Sequence, residues 1–275
     1  RNIHPDIRCV GSAVCADCHD EARTFAEHPM GRSLAPVRRV AARQVYDRKH
    51  HNPFEAFGSR FQVDRRGDKV WHRQTRLDDQ GKPICDFALE AQYAIGSGSH
   101  GRSYLTDRGG YLFQTAISWF SQKQLWDVSP MFGPDILVGR PVTPDCIFCH
   151  ANRTHPHDGS LNRYDEPLFE ETAIGCERCH GPGELHVRAR RLLDAVEGRV
   201  DHTIVNPGRL EWRLREGVCQ QCHLEGEMRV VRRGRGLYDF RPGLPLEDFW
   251  SIFVHARESG EDRKAVNHVE QMYLS

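Results

Sequence analysis

The chain has 275 residues, and its 38 Lys and Arg residues balance its 38 Asp and Glu residues. A net charge of zero provides no overall field that would favour binding to nucleic acid or to an acidic membrane surface. No apolar run reaches the length of about 20 residues that crosses a bilayer. The chain starts at Arg1 with no initiator Met and no signal-like segment, which predicts a processed protein or an excised part of one.

The pattern Cys-x-x-Cys-His occurs four times and uses eight of the ten cysteines. This pattern indicates covalent haem attachment, because two thiols can add to the vinyl groups of a haem while the adjacent His binds the iron. Structural zinc and a disulfide or dithiol are less favoured, because neither calls for a His directly after the second Cys. We therefore predict four haem c groups. The predicted attachment residues are Cys15, Cys18, Cys146, Cys149, Cys176, Cys179, Cys219 and Cys222, and the predicted proximal ligands are His19, His150, His180 and His223.

Haem attachment also indicates the compartment in which the protein works. Covalent haem attachment takes place outside the cytoplasm, so we expect a periplasmic or extracellular protein. In such an oxidising compartment the two remaining cysteines, Cys9 and Cys85, can form a disulfide. The alternative is that both are small buried hydrophobic residues.

The first 52 residues contain the first motif and an amphipathic stretch, residues 20–27, that predicts a helix. Pro29 cannot continue this helix, so His28 lies at its end, where the ring can point away from the first motif. His28 is therefore a candidate distal ligand, and an ordinary exposed His is the alternative.

Residues 53–120 have strand composition broken by turn sequences, which predicts a small antiparallel meander between the first haem and the other three. We expect its aromatic residues to form its hydrophobic core rather than a path for electrons. His100 lies among Gly and Ser residues that would let backbone approach a flat cofactor, so it is the second distal candidate. The predicted strands are 60–64, 69–77, 84–95, 102–106 and 111–120.

Prolines between residues 121 and 145 predict a loop-rich segment. The last three motifs then follow at intervals of 30 and 43 residues, which forces their haems close together. A Gly-Pro-Gly turn at 181–183 opens a predicted helix that carries His186, the third distal candidate. Apolar spacing predicts a helix over 246–258, in which His255 is more simply a core or surface residue. A last helical segment, 261–274, carries His268.

These elements predict a multihaem cytochrome c fold that is mainly α-helix and loop around stacked haems, with a small antiparallel β insert. The predicted segments are 1–52 with haem site 1, 53–120 as the β insert, and 121–275 with haem sites 2–4 and C-terminal helices.

The supply of ligands favours two His on most irons. Twelve of the 16 His remain after the four proximal assignments, whereas the chain has only four Met. Ligation by two His predicts low potentials, because Met in place of His raises the potential. A six-coordinate iron cannot bind substrate without losing a ligand, so electron transfer is favoured over catalysis.

Three runs of sequence together resemble a known family. They are Gly-Cys-Glu-Arg-Cys-His-Gly-Pro-Gly at 175–183 with His186, the run 95–105 around His100, and His-Val-Glu-Gln-Met at 268–272. They resemble the bacterial multihaem cytochromes c whose haem domain often precedes tetratricopeptide repeats. More distantly, they look like the tetrahaem cytochrome that accepts electrons from hydroxylamine oxidoreductase. The resemblance runs from Cys15 to Met272, and it implies haems with two His ligands in stacked pairs. The distal ligands it implies are His28, His100, His186 and His268.

Two functions follow as hypotheses. The preferred one is a tetrahaem c-type cytochrome that transfers electrons between a donor and an acceptor protein outside the cytoplasm, as a carrier and not an enzyme. Membership of a larger electron-transfer complex or filament is compatible with it. The alternative is a multihaem oxidoreductase that acts on a small nitrogen or sulfur compound at one haem with an open distal side. The chain has no Cys-x-x-Cys-Lys motif of the kind that related nitrite reductases use at their catalytic haem, which weakens the alternative.

Overall fold

The computed structural model describes residues 2–134, 139–192, 200–224 and 226–254. The chain divides into two compact units. One consists of Arg23–Ile174 and contains most of the strands, and we call it the sheet unit. The other combines Arg1–Ala22 with Gly175–Ser275, and we call it the terminal unit. His255 and His268 lie outside the described residues.

The described helices are short, and four of them contain cysteines of the Cys-x-x-Cys-His motifs. The second helix ends directly before His28, as Pro29 predicts, and the helix predicted after the Gly-Pro-Gly turn begins at Glu184. No helix in the described ranges has both the length and the apolar character needed to cross a bilayer. The α-helices are α1 Ser12–Ala16, α2 Glu21–Glu27, α3 Pro144–His150, α4 Glu177–His180, α5 Glu184–Arg191 and α6 Trp212–His223.

The described strands pair antiparallel throughout. The predicted strands 60–64, 69–77 and 102–106 are present as single strands, whereas each of the predicted strands 84–95 and 111–120 is divided into two. In the sheet unit they are β1 Leu34–Pro36, β2 Phe54–Ala56, β3 Ser59–Arg66, β4 Lys69–Leu77, β5 Pro83–Ala91, β6 Tyr93–Ile95, β7 Gly101–Arg108, β8 Tyr111–Gln114, β9 Ile117–Phe120, β10 Leu125–Val128 and β11 Arg140–Pro141. In the terminal unit they are β12 Met228–Val231 and β13 Trp250–Phe253.

The sheet unit contains two sheets. Strands β2, β3, β4 and β5 form a meander in that order, and β1, β6, β7, β8 and β11 form the main path of a seven-stranded sheet that β9 and β10 join through β7. Every second residue of β4 is buried between Val70 and Gln74, as expected for a strand with one face on a core. The core contains Tyr104, Trp119 and Trp126, each at most 2% exposed. Of the aromatic residues predicted to form this core, Tyr104 and Trp119 are buried in it, whereas Tyr111 is 40% exposed. The others, Trp71, Tyr93, Phe113 and Phe120, are only partly buried.

The prediction of a mainly α-helical fold is wrong. Helical segments make up 25% of the described residues and strands 29%, and strands of the sheet unit run from Leu34 to Pro141, well beyond a small insert. The physical reason is that a Cys-x-x-Cys-His motif needs only about one helical turn to place its two thiols and its imidazole. The number of motifs therefore says little about helix content.

The helix predicted over 246–258 is also wrong in its described part. Leu246–Asp248 form a 3-10 turn, and the chain then enters β13, which pairs with β12. Trp250 is 3% exposed and lies under the guanidinium of Arg229 at 4.5 Å from the ring centroid. Trp250 is paired with Val231, about 20 residues earlier in the chain, and local apolar spacing does not reveal such a strand partner.

Candidate haem sites

The motif at Cys146 lies on α3 in the sheet unit. Pro144 occupies the first turn of this helix, where its missing N–H is not needed. Ile147 and Phe148, the two residues between the cysteines, are fully buried. The middle of the motif is therefore anchored in the core. Cys146 is exposed, and Cys149 and His150 are partly exposed. This arrangement can hold a haem on the outer face of α3.

Ser33 joins this motif to the segment that carries His100. The Ser33 hydroxyl donates to the carbonyl oxygen of His150 at 2.7 Å and accepts from the N–H of Ile174 at 3.1 Å. The carbonyl oxygen of Ser33 accepts from the N–H of Gly96 at 2.6 Å. The second motif and the start of the His100 loop are therefore tied to one residue.

His100 is exposed, and its Nδ1 lies 2.9 Å from Nε2 of Gln122. The glycines of its loop are explained by the loop's own packing. Gly96 has a φ of +104°, and a Cβ there would lie 2.9 Å from the carbonyl oxygen of Gly101. A Cβ on Gly101 would lie 2.5 Å from the carbonyl oxygen of Trp119. The distal role of His100 remains a prediction.

His28 is exposed directly after α2, and its ring stacks on Phe25 with centroids 5.7 Å apart. The backbone N–H of Met30 donates to His28 Nδ1 at 3.3 Å. Since Nδ1 accepts, the proton of the neutral ring lies on Nε2. His28 must therefore break this contact before Nε2 can bind a metal, and its distal role also remains a prediction.

In the terminal unit the third and fourth motifs touch each other. The carbonyl oxygen of Arg178, on α4, accepts from Nε2 of Gln221, on α6, at 3.0 Å. The guanidinium of Arg178 lies 3.7 Å from the sulfur of Cys222. Burial raises the pKa of the Cys179 thiol to about 11, and the adjacent thiols of Cys219 and Cys222 add to this rise. The two pairs of attachment thiols are therefore close together.

Glu177, inside the third motif, ties that motif to the segment before the first. Its side chain is buried, with the residue only 7% exposed. The carboxylate accepts from the backbone N–H groups of Val10 at 2.9 Å, Gly11 at 2.8 Å and Gly183 at 2.7 Å. A further bond runs from the N–H of Cys176 to the hydroxyl of Ser12, on α1, at 3.1 Å. The third motif is thus tied to residues 10–12, near the start of the chain, and to the turn that follows α4.

His19, the predicted proximal ligand of the first motif, faces His186, a predicted distal ligand 167 positions later. The two ring centroids lie 6.0 Å apart with the ring planes inclined by 25°. Two imidazoles that bind one metal through nitrogens at about 2 Å place their centroids about 6 Å apart. The spacing therefore fits a pair of axial ligands on one iron.

The tautomers of two histidines also fit metal binding. Nδ1 of His180 lies 2.9 Å from the carbonyl oxygen of Val205, and Nδ1 of His186 lies 2.9 Å from Oδ2 of Asp201. Each acceptor requires the proton on Nδ1, so the lone pair of the neutral ring lies on Nε2, as a metal ligand needs. Turning of the chain after His180 depends on Gly181, with a φ of +73°, where a Cβ would lie 2.7 Å from Nδ2 of Asn2.

Asp201 is held by several donors at once. Burial raises the pKa of this carboxyl, but hydrogen bonds from Thr203, Arg190 and His186 outweigh burial and leave the pKa below its ordinary value. The side chain is therefore a carboxylate at neutral pH.

A cavity of about 540 Å³ lies beside this network, within the volume range of ligand pockets. Its lining combines apolar residues, among them Ile204, Val205 and Leu210, with the guanidiniums of Arg190 and Arg209. Apolar walls with cationic groups fit a porphyrin and its carboxylate groups. His186 and His202 also line the cavity.

The structure thus brings together His19 with His186, and the third motif with the fourth. His268 lies outside the described residues, and no distal partner is assigned to His150, His180 or His223. Sequence reasoning missed Glu177 and Asp201 as supporting groups and His202 as a cavity residue. A carboxylate within a motif, or near a candidate ligand, carries no sequence signal that separates it from a surface acid.

Comparison with known proteins gives one family and two similar structures. The family described as cytochrome c554 and c-prime matches residues 136–181, which contain the second and third motifs. No curated protein matches the sequence. The outer cell wall cytochrome OcwA is similar with a TM-score of 0.50 and 16% identity, over 89% of this chain and 45% of that one. At that identity the likeness concerns the fold alone.

An undecahaem cytochrome from the S-layer of Carboxydothermus ferrireducens is similar at 15% identity, with a TM-score of 0.46, over 85% of this chain and 29% of that one. The chain therefore spans less than half the length of both similar structures.

Proposed function

We propose that this chain is a bacterial multihaem cytochrome c that transfers electrons through four covalently bound haem c groups, which its match to the cytochrome c554 and c-prime family over residues 136–181 supports. The observation that carries the proposal is the contact between the third and fourth motifs, where Arg178 of one bonds to Gln221 of the other. Groups attached to touching motifs lie close together, and electron transfer between them requires such closeness. The bonds from Glu177 to Val10 and Gly11 extend the same packing towards the first motif.

The residues that would hold the haems are the eight motif cysteines and four proximal His named from the sequence. Haem c supplies a one-electron iron couple when bound. We assign His186 as the distal ligand opposite His19, which their centroid spacing of 6.0 Å and the Nδ1 hydrogen bond of His186 support. His28, His100 and His268 are proposed as the other distal ligands, without assignment to a particular motif.

Ligation by two His explains why a carrier is favoured over an enzyme. An iron with both axial positions filled has no place for a substrate, and two imidazoles keep its potential low. The protein then needs only to hold the ligands, exclude water from the haem faces and keep the groups near one another. The contacts of Glu177 and of Asp201 serve the first of these tasks.

We place the protein outside the cytoplasm, where covalent haem attachment occurs. The similar structure with a TM-score of 0.50 is described as an outer cell wall cytochrome, which supports this location. A redox protein would donate electrons and a second would accept them. Membership of a larger electron-transfer complex or filament is compatible with the same role.

The test uses holoprotein produced with periplasmic haem attachment. Intact mass should correspond to four haems per chain, and electron paramagnetic resonance of the oxidised protein should show only low-spin iron. Reduced protein should keep its visible spectrum when carbon monoxide, nitrite or hydroxylamine is added.

A substantial high-spin signal, together with a spectral change on adding one of these small molecules, would contradict the carrier and support an oxidoreductase with one open haem. A haem count below four would contradict the assignment of one haem to each motif.

A further inference from the structure

The carboxylate of Asp201 contacts Nδ1 of His186, the ring nitrogen that is not proposed to bind the metal. Oδ2 of Asp201 lies 2.9 Å from His186 Nδ1, and both side chains are only 19% exposed. The guanidinium of Arg190, one turn after His186 on the same helix, contacts the same oxygen at 2.8 Å.

The other oxygen of Asp201 is held independently. Oδ1 accepts from the backbone N–H of Thr203 at 2.7 Å and also from the Thr203 hydroxyl. With both oxygens engaged, the carboxylate cannot rotate away from His186 without losing bonds to Thr203. The position of the imidazole is therefore set by a group that is itself fixed from the neighbouring backbone.

A carboxylate at Nδ1 has two effects on an imidazole that binds a metal. It fixes the proton on Nδ1 and orients the ring, and it strengthens the electron donation of Nε2 to the metal. A stronger donor stabilises the oxidised iron more than the reduced iron, which lowers the potential. The positive charge of Arg190 on the same oxygen reduces this effect.

We propose that Asp201 is a positioning residue that holds His186 for the iron opposite His19 and lowers the potential of that one haem, and that Arg190 moderates the effect. The inference rests on the proposed function, because it takes His186 as a haem ligand. It adds a residue pair with opposite influences on a single redox centre.

The experiment compares the four potentials of the wild-type holoprotein, Asp201→Asn and Arg190→Gln by spectroelectrochemical titration, with low-spin signals followed by electron paramagnetic resonance. Asp201→Asn should raise one potential while three stay unchanged. We expect the ratio of reduced to oxidised haem at a fixed potential to change about tenfold, which is about 59 mV for one electron. Arg190→Gln should lower the potential of the same haem.

Opposite signs separate this role from a structural one, because loss of an ion pair that only stabilised the fold would not move one potential in opposite directions in the two variants. Arg190 is 44% exposed, so its variant tests the proposal even if Asp201→Asn fails to fold. Four unchanged potentials in either folded variant would overturn the inference. If the wild-type protein already holds fewer than four haems or high-spin iron, it is the proposed function that fails.

Discussion

His180 and His186 donate through Nδ1 to fixed acceptors, whereas His28 accepts there from a backbone N–H. This single difference decides which ring nitrogen carries the proton, and therefore which rings offer Nε2 to a metal without rearrangement. His72 shows a third case, in which a buried His serves the core. Its Nδ1 lies 2.9 Å from the Thr115 hydroxyl, and its buried Nε2 has no hydrogen-bond partner among the described residues.

Replacing His186 by Met should leave all four haems attached, because attachment depends on the motif cysteines and the proximal His. One potential should rise by roughly 0.1 V or more, within the span of about 0.8 V that axial ligands control. Spectroelectrochemical titration measures this change. The matched control is His202→Met, since His202 lines the same cavity and should leave all four potentials in place. A rise of one potential in the control, with none in His186→Met, would instead make His202 the ligand.

His72 should make stability depend on pH in the mildly acidic range. Burial lowers the pKa of His72 to about 3, whereas an unfolded His titrates near 6.5. Above pH 6.5 the imidazole of His72 is mainly neutral in both the folded and the unfolded chain, so it causes no loss of stability there. Below pH 6.5 the unfolded chain binds a proton that the folded chain refuses, so the free energy of unfolding falls as pH falls. Between pH 7 and pH 5 the loss from this residue should be about 2 kcal/mol.

Denaturant unfolding at the two pH values measures that loss in holoprotein. In His72→Phe the loss should be smaller by this amount, and the Thr115 hydroxyl keeps the carbonyl oxygen of Tyr104 as a partner at 3.3 Å. His4→Gln is the control, because the side chain of His4 is 66% exposed. An undiminished pH dependence in His72→Phe would show that His72 titrates normally in the folded protein.

At the scale of elements, the short helices that carry the motifs are held by buried polar contacts more than by their own length. Helix α4 has four residues, and a helix of that size is not stable alone. Its Glu177 carboxylate accepts three backbone N–H groups, and its Arg178 carbonyl bonds to α6. In the sheet unit α3 is instead anchored by Ile147 and Phe148 in the core.

Replacing Glu177 by Ala should destabilise the terminal unit by about 3 kcal/mol or more, because three backbone N–H groups lose a charged acceptor. Thermal unfolding of the holoprotein, followed by circular dichroism, measures this change. The stability of Glu177→Gln should lie between those of the wild type and Glu177→Ala, since an amide keeps one accepting oxygen. The control is Glu184→Gln, whose contacts to Arg8 are exposed and should matter far less. Equal unfolding temperatures for Glu177→Ala and the control would contradict the anchoring role.

At the scale of the whole molecule, strands and helices are divided unequally. Nearly all described strands belong to Arg23–Ile174 together with one motif, and three motifs belong to Arg1–Ala22 with Gly175–Ser275. Because the terminal unit draws on both ends of the chain, its three motifs come together only when residues separated by more than 150 positions pack.

Replacing both Cys146 and Cys149 by Ser should remove one haem and leave the other three. Intact mass should fall by one haem, and the haem absorbance should fall by about a quarter, because one haem is predicted for each of the four motifs. The control replaces Cys9 and Cys85 by Ser, which lie outside the motifs and should leave all four haems attached. Loss of more than one haem from the first variant would contradict separate attachment at each motif.

Strands were predictable where alternation is strong, as in β4, whose predicted and observed bounds coincide at Lys69–Leu77. The strand around Trp250 was not predictable, because its apolar spacing fits a helix and only its pairing with β12 makes it a strand. The fold class failed for a related reason. The motifs indicate the cofactor, whereas the sheets are built by residues that take no part in attachment.

The sequence by itself predicts the attachment chemistry, because two thiols and a His at fixed local spacing are the whole of the motif that haem attachment needs. Tertiary structure decided what surrounds each motif. His186 faces His19 from 167 positions away, Asp201 contacts Nδ1 of His186, and Glu177 joins the third motif to the segment before the first motif. These partners meet only after the chain has folded, and their residue types are as common on a solvated surface as around a buried site.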